Sequence, residues 1–171
     1  MTAVEDEESI DDLAARLGAV LFARDWKAAT AESCTGGGIA EAITRVPGSS
    51  TWFDQGFVTY SNESKHTQLG VSEETLDHYG AVSSATVEAM ATGALTHSRA
   101  DVAVAVSGIA GPHGGTPNRP VGMVWLAWAR RGAPPEARVV HLSGDRAQVR
   151  EATVRRALEG LIAEAEAYGP P

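Results

Sequence analysis

Cysteine is almost absent from this 171-residue sequence, and long apolar runs are missing altogether. Because Cys34 is the single cysteine, an intrachain disulfide and a cysteine-based zinc site are excluded. No apolar run approaches the roughly 20 residues that a membrane-spanning helix requires. Residues 1–8 are mostly acidic and lack the positive, then apolar order of a signal peptide. We therefore expect a cytoplasmic protein without a membrane span.

Positive charge is also scarce, since 14 Lys and Arg stand against 22 Asp and Glu and give a net charge of -8. This balance argues against a nucleic-acid partner, because a nucleic-acid groove needs a surplus of Lys and Arg. A local basic cluster at Arg146, Arg150, Arg155 and Arg156 fits either a solvated helix face or a binding patch. The five histidines lack the spacing of metal ligands, so the sequence predicts no metal site.

What remains is the composition of one globular domain over residues 1–171, with 43% apolar and 21% charged residues. Apolar periodicity and capping signals predict helices at 9–24, 39–43, 62–69, 73–78, 84–98 and 145–167. Apolar runs predict strands at 27–31, 56–60, 101–106, 121–129 and 138–142, the last three of them buried. Because helices alternate with strands, we expect a three-layer α/β/α sandwich with a mostly parallel or mixed central sheet.

Three unusual segments follow predicted strands, at 32–38, 61–65 and 107–119. Ligands of such sheets bind beyond the carboxyl ends of the strands, so these segments are the predicted site. In the first, Ser33, Cys34 and Thr35 precede Gly36 and Gly37. Glycines and a helix N-terminus can hold a phosphate or an oxyanion. A tight strand–helix turn with Ser33 or Thr35 as the N-cap explains the same residues.

Cys34 is a rival nucleophile to Ser33, although a buried apolar thiol is the simpler interpretation. In the second segment Lys65 follows Tyr60, and a lysine acts as a general base when its pKa is depressed. A solvated helix start capped by Asn62 is the alternative there. The third segment is either an ordinary long loop or an anion cradle, with glycine amides and the hydroxyls of Ser107 or Thr116.

Six motifs in one order resemble a single family, the CinA C-terminal domain family. The motifs are TAESCTGG at 30–37, GSS at 48–50, GFVTYSN at 56–62, GAVS at 80–83, SGIAGP at 107–112 and PVG at 120–122. Phe53 and Lys65 also fit the pattern, and the resemblance spans about residues 10–165. It implies a nicotinamide-nucleotide amidohydrolase, which converts nicotinamide mononucleotide and water to nicotinate mononucleotide and ammonia in pyridine nucleotide recycling. It further implies a serine–lysine pair and no metal or other cofactor.

Carried onto this chain, the resemblance makes Ser33 the nucleophile and Lys65 its base, and it places Tyr60 in the pocket. The position of Tyr60 shortly before Lys65 also suits it to relay or orient a proton. The expected substrate-binding residues are Cys34, Thr35, Gly36, Gly37, Ser107, Gly108, Ala110, Gly111, Gly115, Thr116 and Arg119. Which glycine loop holds the phosphate and which the oxyanion stays open, and Arg119 is expected to reach the phosphate. The resemblance and base rates also favour a homo-oligomer. A catalytically weak nucleotide-binding or competence-associated regulatory protein is the alternative function.

Overall fold

The computed structural model describes residues 7–168, so most of the acidic N-terminal segment, residues 1–6, lies outside the described residues. The helices are α1 (Ile10–Arg24), α2 (Gly38–Thr44), α3 (Asn62–Leu69), α4 (Glu73–Tyr79), α5 (Ser84–Thr96) and α6 (Arg146–Glu166), with a 3₁₀ turn at Ser49–Thr51. The strands are β1 (Ala28–Glu32), β2 (Phe53–Val58), β3 (Val102–Gly108), β4 (Met123–Arg130) and β5 (Glu136–His141).

The five strands form one mixed sheet in the order β2-β1-β3-β4-β5. β1 pairs in parallel with β2 and β3, whereas β4 is antiparallel to both β3 and β5. Residues of α1, α2 and α6 pack on one face of the sheet, and residues of α3, α4 and α5 pack on the other. The predicted three-layer α/β/α fold with a mixed sheet is therefore confirmed.

The alternation of valine and alanine along β3 explains how this strand is buried on both faces. Val102, Val104 and Val106 face α1, α2 and α6, whereas Ala103 and Ala105 face the cluster that contains α5. All five side chains are inaccessible to solvent. The prediction of a strand buried on both faces is correct here, and β3 becomes the centre of the sheet because its two neighbours pair with it on either side.

Two strand predictions need correction. The second strand begins at Phe53 rather than at residue 56, because Phe53 already pairs with Ala28 of β1, and it ends at Val58. The fifth strand is not buried, since four of its six residues are exposed. It is an edge strand that pairs with β4 alone, and α6 leaves part of its face open. No helix within residues 7–168 has the length and apolar character needed to cross a membrane.

Helix starts follow the predicted capping chemistry except near the site. Ser72 and Ser83 cap α4 and α5, and Asp145 with Gln148 forms a capping box at α6. Ser61, rather than Asn62, caps α3. At α2 neither Ser33 nor Thr35 is the N-cap, because Gly37 occupies that position with a positive φ of 102°.

Candidate active site

Three chain segments meet at the edge of the sheet where the parallel strands end. The turn 33–37 follows β1, the segment 59–61 follows β2, and the loop 109–122 follows β3. Because β1, β2 and β3 run in the same direction, their carboxyl ends lie side by side at this edge. Parallel pairing thus brings together the three segments that the sequence singles out.

A serine and a lysine that are 32 residues apart in the chain are in contact at this edge. Lys65 Nζ lies 2.9 Å from Ser33 Oγ. Lys65 lies in α3, and Ser61 is the N-cap of this helix. Both side chains are buried, with 1% of Lys65 and 8% of Ser33 exposed. The pair has the separation that a nucleophile and its general base require.

The environment of Lys65 makes its amine easier to deprotonate than that of a lysine in water. Burial removes water from the amine and lowers the pKa of Lys65 from 10.5 to about 8. Two backbone carbonyls, of Thr59 at 2.7 Å and Tyr60 at 3.2 Å, accept hydrogen bonds from Nζ. A neutral amine has two N–H groups for these carbonyls, and its lone pair is then directed at the hydroxyl of Ser33. No ion pair in residues 7–168 involves Lys65.

The turn that carries Ser33 is held from inside the protein by a buried carboxylate. Glu32, 1% exposed, accepts hydrogen bonds from the Thr35 hydroxyl at 2.5 Å and from the amides of Ile39 at 2.8 Å and Ala40 at 3.1 Å. The carboxylate therefore supplies the acceptor that a side-chain N-cap would have given α2, and its negative charge complements the positive end of the helix. Sequence reasoning missed this role of Glu32.

Cys34 follows Ser33 directly, and it is the other candidate nucleophile of the turn. Its side chain is 6% exposed, and burial raises the pKa of the thiol to about 11. The thiol is therefore protonated near neutral pH, whereas nucleophilic attack requires a thiolate. The structure thus favours the buried apolar interpretation of this cysteine over the rival nucleophile.

A cavity of about 270 Å³ opens over the Ser33–Lys65 pair. Arg146, at the first turn of α6, brings a positive charge to its wall. The guanidinium donates to the Gly111 carbonyl at 2.8 Å and contacts the Tyr60 hydroxyl at 3.3 Å. Sequence reasoning did not choose Arg146 as a site residue, although its place in the basic cluster was a usable signal. His113 and Gly114 of the third loop also line the cavity, as do Ala81, Val82 and Ile109.

The structure brings some of the predicted site residues to this cavity and leaves others outside it. Those that line it are Ser33, Cys34, Tyr60, Lys65, Ser107, Gly108, Ala110 and Gly111. Those that do not are Thr35, Gly36, Gly37, Gly115, Thr116 and Arg119. Thr116 and Arg119 exchange backbone hydrogen bonds of 2.8 and 3.1 Å, which closes a tight turn in the loop. The hydroxyl of Tyr60 faces Arg146, and the contact of Tyr60 with Lys65 is made by its backbone carbonyl.

Arg119, expected to reach a phosphate, instead ties two walls of the site together. Its guanidinium donates to the Val82 carbonyl at 3.0 Å and to the Tyr79 carbonyl. These contacts join the loop 109–122 to the segment that precedes α5, two residues of which line the cavity. Within residues 7–168, no group of three His, Cys, Asp or Glu side chains is placed to hold a metal ion.

Fold and site together define a three-layer α/β protein with a buried serine–lysine pair. The CinA C-terminal domain family model matches residues 10–165, and the chain belongs to this family. A Pseudomonas putida protein named nicotinamide-nucleotide amidohydrolase PncC is 56% identical over 155 residues, which are 91% of this chain and 96% of that protein. The protein of the same name from Escherichia coli K12 is 49% identical over 91% of this chain and 94% of its own length.

Solved structures show the same fold. The competence/damage inducible protein CihA from Agrobacterium tumefaciens superposes with a TM-score of 0.88 at 49% identity, over 90% of this chain and 94% of that one. A CinA superfamily protein from Enterobacter cloacae gives a TM-score of 0.90 at 35% identity, over 96% of this chain and 98% of that one.

Proposed function

We propose that this amidohydrolase deamidates nicotinamide mononucleotide to nicotinate mononucleotide and ammonia, in the recycling of NAD. The observation that carries the proposal is the 2.9 Å contact between Ser33 Oγ and a buried Lys65 Nζ, at the floor of a cavity with an arginine in its wall. The names of relatives that match nearly the whole chain at 49–56% identity support the carboxamide substrate.

The reaction begins with proton transfer from Ser33 Oγ to the neutral Nζ of Lys65. Ser33 Oγ then bonds to the carboxamide carbon, and the carbonyl electrons move to oxygen to give a tetrahedral oxyanion. As this intermediate collapses the C–N bond breaks, and Lys65 returns the proton to the departing ammonia. Water, deprotonated by Lys65, hydrolyses the acyl-enzyme in a second round and releases the carboxylate product.

Two amides next to the nucleophile are candidates to hold the oxyanion. In the described part of the chain, the N–H groups of Cys34 and Thr35 donate no hydrogen bond to another residue. The other amides of the turn are occupied, since Ser33 donates to Val106, and Gly36 donates to the Ser33 carbonyl. Oxyanion stabilisation needs donors beside the reacting atom. The Thr35 N–H has no acceptor among the described residues, and the Cys34 N–H is engaged only by its own thiol.

The phosphate of the substrate is assigned to Arg146 and the loop amides beside it. Arg146 lines the cavity, whereas Arg119 is engaged with two backbone carbonyls and lies outside it. A guanidinium whose donors face a pocket forms strong charge-assisted hydrogen bonds with phosphate. The loop 109–122 thus contacts the phosphate, and the turn 33–37 holds the oxyanion.

The test is ammonia release from nicotinamide mononucleotide by four proteins: wild type, Ser33→Ala, Lys65→Met and Lys27→Met. Lys27 is the matched control, because its amine donates to the Thr51 carbonyl at 3.0 Å, far from the site in the fold. We expect both site variants to lose about 1,000-fold or more in kcat, since nucleophile and base act as a unit. Lys27→Met should match wild type.

Unchanged turnover in Ser33→Ala or Lys65→Met would refute the proposed mechanism. If the wild-type protein binds the mononucleotide in calorimetry but releases no ammonia, the activity itself is refuted, and a nucleotide-binding role replaces it.

A further inference from the structure

Arg150, on the second turn of α6, contacts the backbone of the nucleophile turn across a large distance in sequence. Its Nε donates to the Cys34 carbonyl at 3.2 Å, and its Nη2 donates to the Thr35 carbonyl at 3.1 Å. These two residues directly follow Ser33. The guanidinium also covers Gly36, where an added Cβ would lie 3.4 Å from Nη2. One side chain thus spans the outer surface of the turn.

The contact with the Cys34 carbonyl fixes the orientation of the peptide group that joins Cys34 to Thr35. The Thr35 carbonyl is also held by the Gly38 amide at 3.0 Å. In a trans peptide the C=O and the following N–H point in opposite directions. The peptide that joins Cys34 to Thr35 has its carbonyl on Arg150, so the N–H of Thr35 lies on the opposite side of the turn. Rotation of this peptide would bring the carbonyl to that side and replace a donor by an acceptor. Gly36 and Gly37 follow with φ of 59° and 102°, and neither has a Cβ that would restrict the backbone of the turn.

Other contacts hold the neighbouring groups but not this peptide. Glu32 binds the Thr35 side chain and the amides of α2. The Ser33 carbonyl accepts from the Gly36 amide at 3.0 Å. Within residues 7–168, the Cys34 carbonyl accepts a hydrogen bond from Arg150 alone. The orientation of the Thr35 N–H therefore depends on this arginine.

We propose that Arg150 is a positioning residue for the hydrolytic reaction, because its contact with the Cys34 carbonyl keeps the Thr35 N–H directed at the developing oxyanion. The inference rests on the proposed function and adds the group that prepares the site for its transition state. It differs from a role in substrate binding, because Arg150 does not line the cavity. The effect should therefore fall on kcat and not on KM.

The experiment compares Arg150→Met and Arg150→Lys with wild type and with Arg156→Met. Arg156 is an exposed arginine on the same helix, at the distant groove between α6 and β5, and is the matched control. We expect Arg150→Met to lose about 10- to 100-fold in kcat, less than deletion of an oxyanion donor, while KM changes less than about twofold. The kcat of Arg150→Lys should lie between those of wild type and Arg150→Met, because an amine lacks the guanidinium fork that reaches both carbonyls. Arg156→Met should match wild type.

Two further measurements separate positioning from a general loss of structure. Arg150 is exposed, so guanidinium ion from solution can occupy the space that its side chain leaves in Arg150→Ala. Added guanidinium should therefore restore part of the kcat of Arg150→Ala and leave the kcat of Arg156→Met unchanged. Pyridine-3-boronic acid forms a tetrahedral adduct with a serine oxygen. Its inhibition constant should be higher for Arg150→Met than for wild type, by the same factor by which kcat falls. The affinity of the product nicotinate mononucleotide should stay the same.

An unchanged kcat in Arg150→Met overturns the inference, as does a loss that appears in KM and in product affinity alike. The inference is also overturned if kcat falls but guanidinium does not restore it and the boronic acid inhibits the variant as strongly as wild type. These outcomes are distinct from failure of the proposed function, because in each of them the wild-type protein still releases ammonia.

Discussion

The rate of ammonia release should rise with pH through a midpoint near 8 and then level off. Burial lowers the pKa of Lys65 to about 8, and only the neutral amine can accept the Ser33 proton. The neutral fraction is then about 0.09 at pH 7, about 0.5 at pH 8 and about 0.9 at pH 9. The value of kcat/KM should therefore increase about tenfold between pH 7 and 9. A lysine whose pKa stayed at 10.5 would give roughly a 100-fold increase in kcat/KM over the same range, without a plateau.

The assay is coupled ammonia detection under kcat/KM conditions from pH 6 to 10, at constant ionic strength. Since kcat/KM reports the ionisation of the free enzyme, its midpoint can be compared directly with Lys65. Tyr60→Phe is the control, because Tyr60 contacts Lys65 through its backbone carbonyl, which the substitution retains. The variant should keep the midpoint. A rate that is flat from pH 6 to 10, or that still rises steeply above pH 9, would refute the assignment of a neutral buried Lys65 as the base.

Three other substitutions test separate parts of the structure. Cys34→Ala should stay within about fivefold of wild-type kcat, because its thiol, with a pKa near 11, is protonated, whereas loss of all turnover would indicate that the thiol is the nucleophile. Arg146→Met should raise KM for the mononucleotide roughly 10-fold or more but leave KM for nicotinamide riboside, which has no phosphate, unchanged. An equal rise for both substrates would contradict the phosphate assignment. Gly93→Ala should lower the free energy of unfolding by about 1–3 kcal/mol in urea denaturation, because the new Cβ would lie 2.0 Å from the Leu69 carbonyl oxygen. Thr92→Ala, on the exposed side of the same helix, is its control and should change stability little.

Much of the fold could be predicted because local patterns and tertiary packing agree. The alternation of Val and Ala in β3 and the Asp145 capping box are local signals, and both correspond to what the structure contains. The two wrong strand predictions concern features that depend on which strand pairs with which. Phe53 joins β2 through its pairing with β1, and β5 is an edge strand because nothing pairs beyond it in the described part of the chain. Neither fact is contained in a short window of sequence.

The site, too, could be predicted from the sequence only in part. The spacing of residues placed the three segments at strand ends, and the parallel sheet brings those ends together. Which of two arginines reaches the cavity could not be predicted, because Arg119 and Arg146 both follow turns and differ only in their tertiary partners. Glu32 and Arg150 both contact the turn that carries Ser33. Most of their partners are backbone groups, and such groups leave no side-chain motif.

The antiparallel course of β4 has a consequence for how substrate choice can change. Because β4 returns along β3, the connection between them leaves and re-enters the sheet at one edge, and hydrogen bonds of 2.9 and 2.7 Å between Ile109 and residues 122–123 close its base. Such a loop can change while the strands keep their pairing, provided that the contacts of Arg119 and of Gly111 with its neighbours are kept or replaced. The proposed nucleophile, Ser33, and its proposed base, Lys65, lie on other elements, after β1 and in α3. Changes in this loop can therefore alter one wall of the cavity while Ser33 and Lys65 keep their places.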